Sequence, residues 1–155
     1  METMGLRLSC KIPMVGLCVV EHYRNGRLLA RRAGKNTFTD GGRQEISTVL
    51  SGSGAVPTKI SIGTGTTASA VGDDDTYSHA LESQVDIQTA VKTLTTIAVT
   101  DDACQCVYTF TLAGDNDITE AGLASTTPVL WNRRVFTKIE GKAGDDIKVT
   151  WKLQH

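Results

Sequence analysis

The groups in this sequence that could do chemistry are four thiols, three imidazoles, two acidic clusters, a glycine-threonine loop and two arginine doublets. The thiols are Cys10, Cys18, Cys104 and Cys106. Side chains two apart on a strand point to the same face, so Cys104 and Cys106 would run parallel and not converge into a bridge with each other. Zinc would call for a second pair of thiols or imidazoles at ligand spacing, and the sequence has none. The leading reading is small buried thiols. Disulfides among Cys10, Cys18, Cys104 and Cys106, within or between chains, come second and a metal site last.

His22, His79 and His155 are scattered, and no H-E-x-x-H, G-x-S-x-G or C-x-x-C-H spacing occurs. Nucleophilic catalysis requires an arrangement in space that spacing alone does not supply here. No catalytic, cofactor-binding or metal-ligating residue is assigned, and an enzyme is not expected. Asp73-Asp74-Asp75 and the pair Asp115 and Asp117 lack the ordered loop that gathers about six to eight oxygens around calcium, and read as solvated connections. The run Gly63-Thr64-Gly65-Thr66-Thr67 invites a phosphate reading, but neither the P-loop spacing nor a dinucleotide fingerprint is present, so it reads as a turn between strands. Arg31-Arg32 and Arg133-Arg134 would each present at most one guanidinium per strand face. As a fork that matches carboxylates, each is a candidate partner contact as well as ordinary solvated charge.

The elements that must position these groups follow from composition. The chain has 155 residues, 40% hydrophobic and 21% charged, enough for one domain with a core. A formal net charge of -1 gives no general positive field, so nucleic acid is not an expected partner. No run approaches the roughly 18 apolar residues of a membrane-spanning helix, so a membrane is not expected either. Thr, Ser, Gly, Val and Ile dominate, and branched side chains fit a pleated surface better than a helix. The expected class is all-β: an antiparallel β-sandwich or jelly roll with one short helix. Residues 1–14 carry no clear period and form an N-terminal arm, and residues 15–155 form a single β-sandwich domain.

Along the chain, Asn25-Gly26 supplies the two positive-φ residues of a type I′ hairpin turn. Ile46, Val49 and Leu50 fall at helical spacing after Asp40-Gly41-Gly42, which offers the helix start. Residues 59–68 read as a brief strand entering the glycine-rich loop, 71–78 as an exposed connection, and 84–100 as a strand or bent pair. Cys106, Tyr108, Phe110 and Leu112 alternate with Val107, Thr109 and Thr111. Ile147, Val149, Trp151 and Leu153 alternate with Lys148, Thr150, Lys152 and Gln154, the pattern of a strand with one buried and one wet face.

Several pieces, taken in order, resemble a recurrent type of small structural protein from tailed bacteriophages. These are the Asn25-Gly26 hairpin, Asn36-Thr37-Phe38-Thr39-Asp40-Gly41-Gly42, and Ile60-Ser61-Ile62-Gly63-Thr64-Gly65-Thr66-Thr67-Ala68 with Leu81-Glu82-Ser83 behind it. Ile118-Thr119-Glu120-Ala121-Gly122-Leu123, Arg133-Arg134-Val135-Phe136 and residues 147–153 complete the set, which covers most of residues 15–153. The glycine-threonine loop and the I-T-E-x-G-L step recur in capsid decoration (cement) proteins and in tail-fibre or collar proteins. Many of those follow the Gly-Leu step with an aromatic and an acidic turn, where this chain has Ala124-Ser125-Thr126-Thr127-Pro128.

The resemblance implies a non-enzymatic subunit on the surface of a virion, assembled in the host cytoplasm. Its partners would be the major capsid protein or other virion proteins, with itself as a homo-oligomer, a trimer favoured. Head decoration is the first expectation; a tail, neck, collar or fibre-adaptor position is the second. Cys10 or Cys18 would then be available for an intersubunit staple. A carbohydrate-binding β-sandwich module is a further alternative, weakened because only Trp131 and Trp151 could serve as a platform and alternation buries Trp151.

Overall fold

The computed structural model describes residues 14–95, 103–126 and 129–154. The expected N-terminal arm lies outside the described residues except for Met14, and so does Cys10. The fold is a β-sandwich of two antiparallel five-stranded sheets.

The first sheet contains β1 (Val15–Arg24), β2 (Arg27–Lys35), β6 (Val91–Thr95), β7 (Ala103–Thr111) and β10 (Asp146–Gln154), in the order β2-β1-β10-β7-β6. The second contains β3 (Thr37–Phe38), β4 (Pro57–Gly63), β5 (Gln84–Thr89), β8 (Asn116–Ser125) and β9 (Leu130–Gly141), in the order β3-β9-β8-β4-β5. The β1–β2 hairpin turns on Asn25 and Gly26, whose φ values of 50° and 76° are the left-handed pair that this dipeptide adopts at least cost. Of the strand or bent pair expected over 84–100, residues 96–100 lie outside the described residues, and the rest is a pair that changes sheets: β5 lies in one sheet and β6 in the other. Buried Ala90 forms the corner, its N–H bonded to the Thr58 carbonyl.

One core joins the inner faces. Cys18 and Val20 of β1, Cys106 and Phe110 of β7, and Ile147, Val149 and Trp151 of β10 face Ile60, Ile62, Ala121, Leu123 and Ile139 across the sandwich. The alternation of the last strand is realised residue for residue, with Ile147, Val149, Trp151 and Leu153 buried and the intervening side chains half-buried. Two side chains tie the sheets across this space: Arg134 on β9 donates to the Cys18 carbonyl at 2.7 Å, and Arg32 on β2 donates to the Thr137 carbonyl at 3.1 Å.

Two helices are present among the described residues where one was expected. α1 (Asp40–Leu50) is capped by Thr39, whose hydroxyl accepts from the Gly42 N–H and donates to the Leu130 carbonyl. Asp40 is thus the first helical residue and not the cap. α2 (Asp73–Thr76) is a single turn inside the segment expected to be an exposed connection. Its Asp73 and Asp74 are buried, because both carboxylates are consumed by the fold.

Trp151 has no exposed surface and sits mid-strand in the core. Trp151→Ala is expected to lower the free energy of unfolding by about 3–5 kcal/mol, read from urea denaturation followed by far-ultraviolet circular dichroism.

Candidate functional site

The chemistry-bearing side chains gather on the outer face of the second sheet. Residues 120, 122 and 133 share that face, since Gly122 pairs with Arg133 and Glu120 lies two residues along the same strand. Arg133 and Glu120 are both fully buried there. The guanidinium donates to Glu120 at 2.8 Å, to Asp73 at 3.0 Å and to Glu82 at 2.9 Å, and lies 4.9 Å above the Tyr77 ring centroid. A neutral pair could not satisfy this geometry; a planar fork with donors on three sides can.

The carboxylates in turn hold the glycine-threonine loop. Glu120 accepts from the backbone N–H groups of Gly65, Glu82 and Ser83. The Thr119 hydroxyl donates to the Gly65 carbonyl, and Glu82 accepts from the backbone and hydroxyl of Thr67. A Cβ at Gly63 or Gly65 would collide with the Glu120 carboxylate, so glycine stands at both positions to admit that group. The Thr67 hydroxyl bond, with its backbone N–H and Arg133 behind it, holds the Glu82 carboxyl below the usual range. N–H groups that a phosphate reading would need are therefore already bonded to carboxylates of the same chain.

A second buried carboxylate organises one end of the first sheet. Asp145, in the β9–β10 turn, accepts from Arg24 through two nitrogens at 2.8 Å, from the Lys142 N–H at 2.8 Å, and bonds His22 Nε2 at 2.7 Å. The Arg24 guanidinium holds its carboxyl well below the usual carboxylate range.

The four arginines expected to contact partners separate into different roles. Arg31 is exposed, 3.6 Å from Glu21 across the β1–β2 pair. Arg32 is half-buried and bonded to backbone carbonyls of β9. Arg134 is spent inside the sandwich on the Cys18 carbonyl, and Arg133, with no exposed surface, is removed from the contact set altogether. The alternation that points Arg133 and Arg134 to opposite faces also sends both into the fold, because the second sheet is covered on its outer face as well. Cys18, Cys104 and Cys106 are free thiols and form no disulfide with one another. Burial pushes the Cys18 and Cys106 thiols up to about 12, which makes both poor nucleophiles at neutral pH. Cys104 alone of these three is partly exposed.

Asp74, Asp75 and His79 bring possible ligand atoms within 4.8 Å of one another. Asp74 Oδ1, however, already accepts the Leu130 N–H at 2.6 Å and bonds His79 Nδ1 at 3.0 Å, so its place is explained by holding β9. Asp115 and Asp117 are exposed and paired with Lys142 and Lys138.

An apolar groove of about 480 Å³ opens at one end of the sandwich, unanticipated in the sequence. One wall is α1, through Ile46 and Val49, with Trp131 beside it; the other is the end of the first sheet, through Leu94, Cys104 and Leu153. Sheet membership creates it: β6 crosses to the far edge of the first sheet, and among the described residues no further strand covers its inner face there. The indole N–H of Trp131 is buried and finds no acceptor among the described residues.

No family model, curated protein or solved structure matches this chain.

Two outcomes test the buried charges. Arg133→Leu is expected to destabilise by about 3–5 kcal/mol in urea denaturation, because Glu120 is left buried without its cation, and adding Glu120→Gln is expected to recover part of that loss. For Asp145, a carboxyl lowered by folding stabilises the native state above its unfolded value of about 3.9 and loses that contribution as pH falls through the folded value. Asp145→Asn is expected to be less stable than the parent at pH 7 and to lose less stability below about pH 4, measured by thermal melts across that range.

Proposed function

We propose that this chain is a non-enzymatic structural subunit of a tailed-bacteriophage particle, a capsid decoration (cement) protein that bridges subunits of the assembled shell. The observation that carries the reading is where apolar surface remains. Ten large apolar side chains are exposed among the described residues, and five of them, Leu28, Leu29, Val85, Val91 and Leu94, lie on the edge strands β2, β5 and β6. Edge strands with apolar side chains invite lateral contact through strand addition or side-chain packing. The reactive side chains point the same way, since the buried carboxylates and guanidinium are consumed in holding loops. The pieces that carry the resemblance also meet physically: the glycine-threonine loop, Glu82, Glu120 and Arg133 form one hydrogen-bonded unit.

Cement action follows from linkage. A subunit that binds two neighbours only when they are correctly spaced stabilises the assembled shell by mass action. A homo-oligomer at a symmetry position, with a trimer favoured, would repeat each edge contact around the axis.

Cryo-electron microscopy of the particle tests the proposal. Density for this chain at many symmetry-related positions on the head supports it. Density confined to a tail, neck or fibre vertex at low copy number replaces it with the tail-structure reading, and specific binding on a glycan array replaces it with a carbohydrate-binding module.

A further inference from the structure

We propose that the outer edge of β2 is the docking strand for an extended acidic segment of a partner protein, which adds to the first sheet beside Arg31, Ala33 and Lys35. β2 ends the order β2-β1-β10-β7-β6, so among the described residues no strand lies beyond it. It is the longest edge strand of the described fold, nine residues against six in β5, five in β6 and two in β3. It contains no proline, which would interrupt the row of donors that an added strand uses.

Register identifies the groups this edge offers. The Asn36 N–H bonds the Gly16 carbonyl at 3.1 Å, and the Cα partners Cys18 with Gly34 and Val20 with Arg32 continue that parity along the pair. In an antiparallel ladder, residues of one parity exchange backbone bonds with the neighbouring strand and residues of the other parity turn theirs away. Arg32 and Gly34 therefore bond inward to β1, whereas Arg31, Ala33 and Lys35 direct their N–H and C=O groups to the outer side. Arg134 agrees with this parity. It donates to the carbonyls of Cys18 and Arg32, the two that the register turns into the space between the strands. The three outward residues are exposed, and the two inward ones are half-buried.

Side-chain charge selects the partner. β2 carries four cations, Arg27, Arg31, Arg32 and Lys35, and no carboxylate. Arg32 is bonded to carbonyls of β9, Arg31 shares Glu21 with Lys148, and Lys35 has no ion pair among the described residues. Arg31 and Lys35 stand on one face on either side of Ala33, roughly 13 Å apart at the usual rise. A strand with carboxylates four residues apart sets one against each cation, and opposite charges facing each other across a ladder are favourable. A second copy of β2 does not fit, because two-fold pairing of this edge with itself brings cations against cations. The assignment rests on the edge-contact reading above and names the partner's chemistry; it is decided on purified protein, whereas that reading is decided on the particle.

Nuclear magnetic resonance of full-length, ¹⁵N-labelled protein tests it, with the capped peptide Thr-Val-Glu-Val-Thr-Val-Glu-Val-Thr as the probe. In the free protein the amides of Arg31, Ala33 and Lys35 are expected to exchange with solvent far faster than those of Arg32 and Gly34. The peptide is expected to slow the three and to shift their resonances. Protection of those three amides in the free protein means that the edge is already occupied and overturns the assignment, as does no binding at about 1 mM peptide. The same peptide with lysine in place of glutamate is expected to bind at least about ten-fold more weakly, and equal affinity overturns the acidic partner. Ala33→Pro removes one outward N–H and leaves the β1–β2 ladder whole. It is expected to weaken the acidic peptide by a similar factor with an unchanged far-ultraviolet circular dichroism spectrum, and undiminished binding overturns the assignment. Arg31→Glu/Lys35→Glu keeps the backbone edge and is expected to reverse the preference toward the lysine peptide; a retained preference for the acidic one overturns it.

Discussion

A guanidinium with no exposed surface, set against a carboxylate with none, costs about several kcal/mol of lost hydration per ion before any attraction is counted. The chain recovers this only because Arg133 and Glu120 are not an isolated pair. Arg133 has three carboxylate acceptors and an aromatic ring, and Glu120 has three backbone N–H groups besides the guanidinium. Each bond reaches a different segment: the glycine-threonine loop, the residues before β5, and the short helix α2. Remove the cation and the carboxylates lose the charge that keeps them together; the loops they hold would then have no reason to lie on the sheet. An apolar cluster could bury as much surface, but it would not fix where each loop crosses.

That constraint also occupies several of the side chains whose types could do chemistry. A nucleophile or general base needs a free lone pair facing a space where substrate can sit. Glu120 faces N–H donors, Asp145 faces Arg24 and His22, and the Cys18 and Cys106 thiols are sealed in the core. Among the described residues, large apolar side chains stay exposed on the edge strands and along the groove at the end of the sandwich. The hub lies on the outer face of the second sheet, whereas the groove opens on the inner face of the first. The groove and the charges that hold the loops are therefore separate parts of the fold.

Local signals in the sequence were sufficient for the local structure. The alternation through residues 147–153, the Asn25-Gly26 turn and the helical spacing of Ile46 and Val49 depend on neighbours in sequence, and the strands, hairpin and α1 follow them. Partners distant in sequence were not legible. Asp73 meets Arg133 across 60 residues, and nothing near Asp73-Asp74-Asp75 distinguishes a solvated acidic turn from one folded over a buried cation. One sign was present in β8, where Ile118-Thr119-Glu120-Ala121-Gly122-Leu123-Ala124 is small or apolar on both parities. A strand of that kind is covered on both faces, so a glutamate within it must be paired. The same covering explains why Arg133 could not serve as a surface contact.

The groove was hidden for a different reason. It exists because β5 and β6, adjacent in sequence, separate at Ala90 into different sheets, which leaves β6 at an edge with Leu94 uncovered among the described residues. Period-two alternation gives the face on which a side chain lies but not the sheet to which its strand belongs, and sheet membership decides whether that face is closed. An edge strand with an open inner face is unstable against pairing with any extended apolar segment that reaches it.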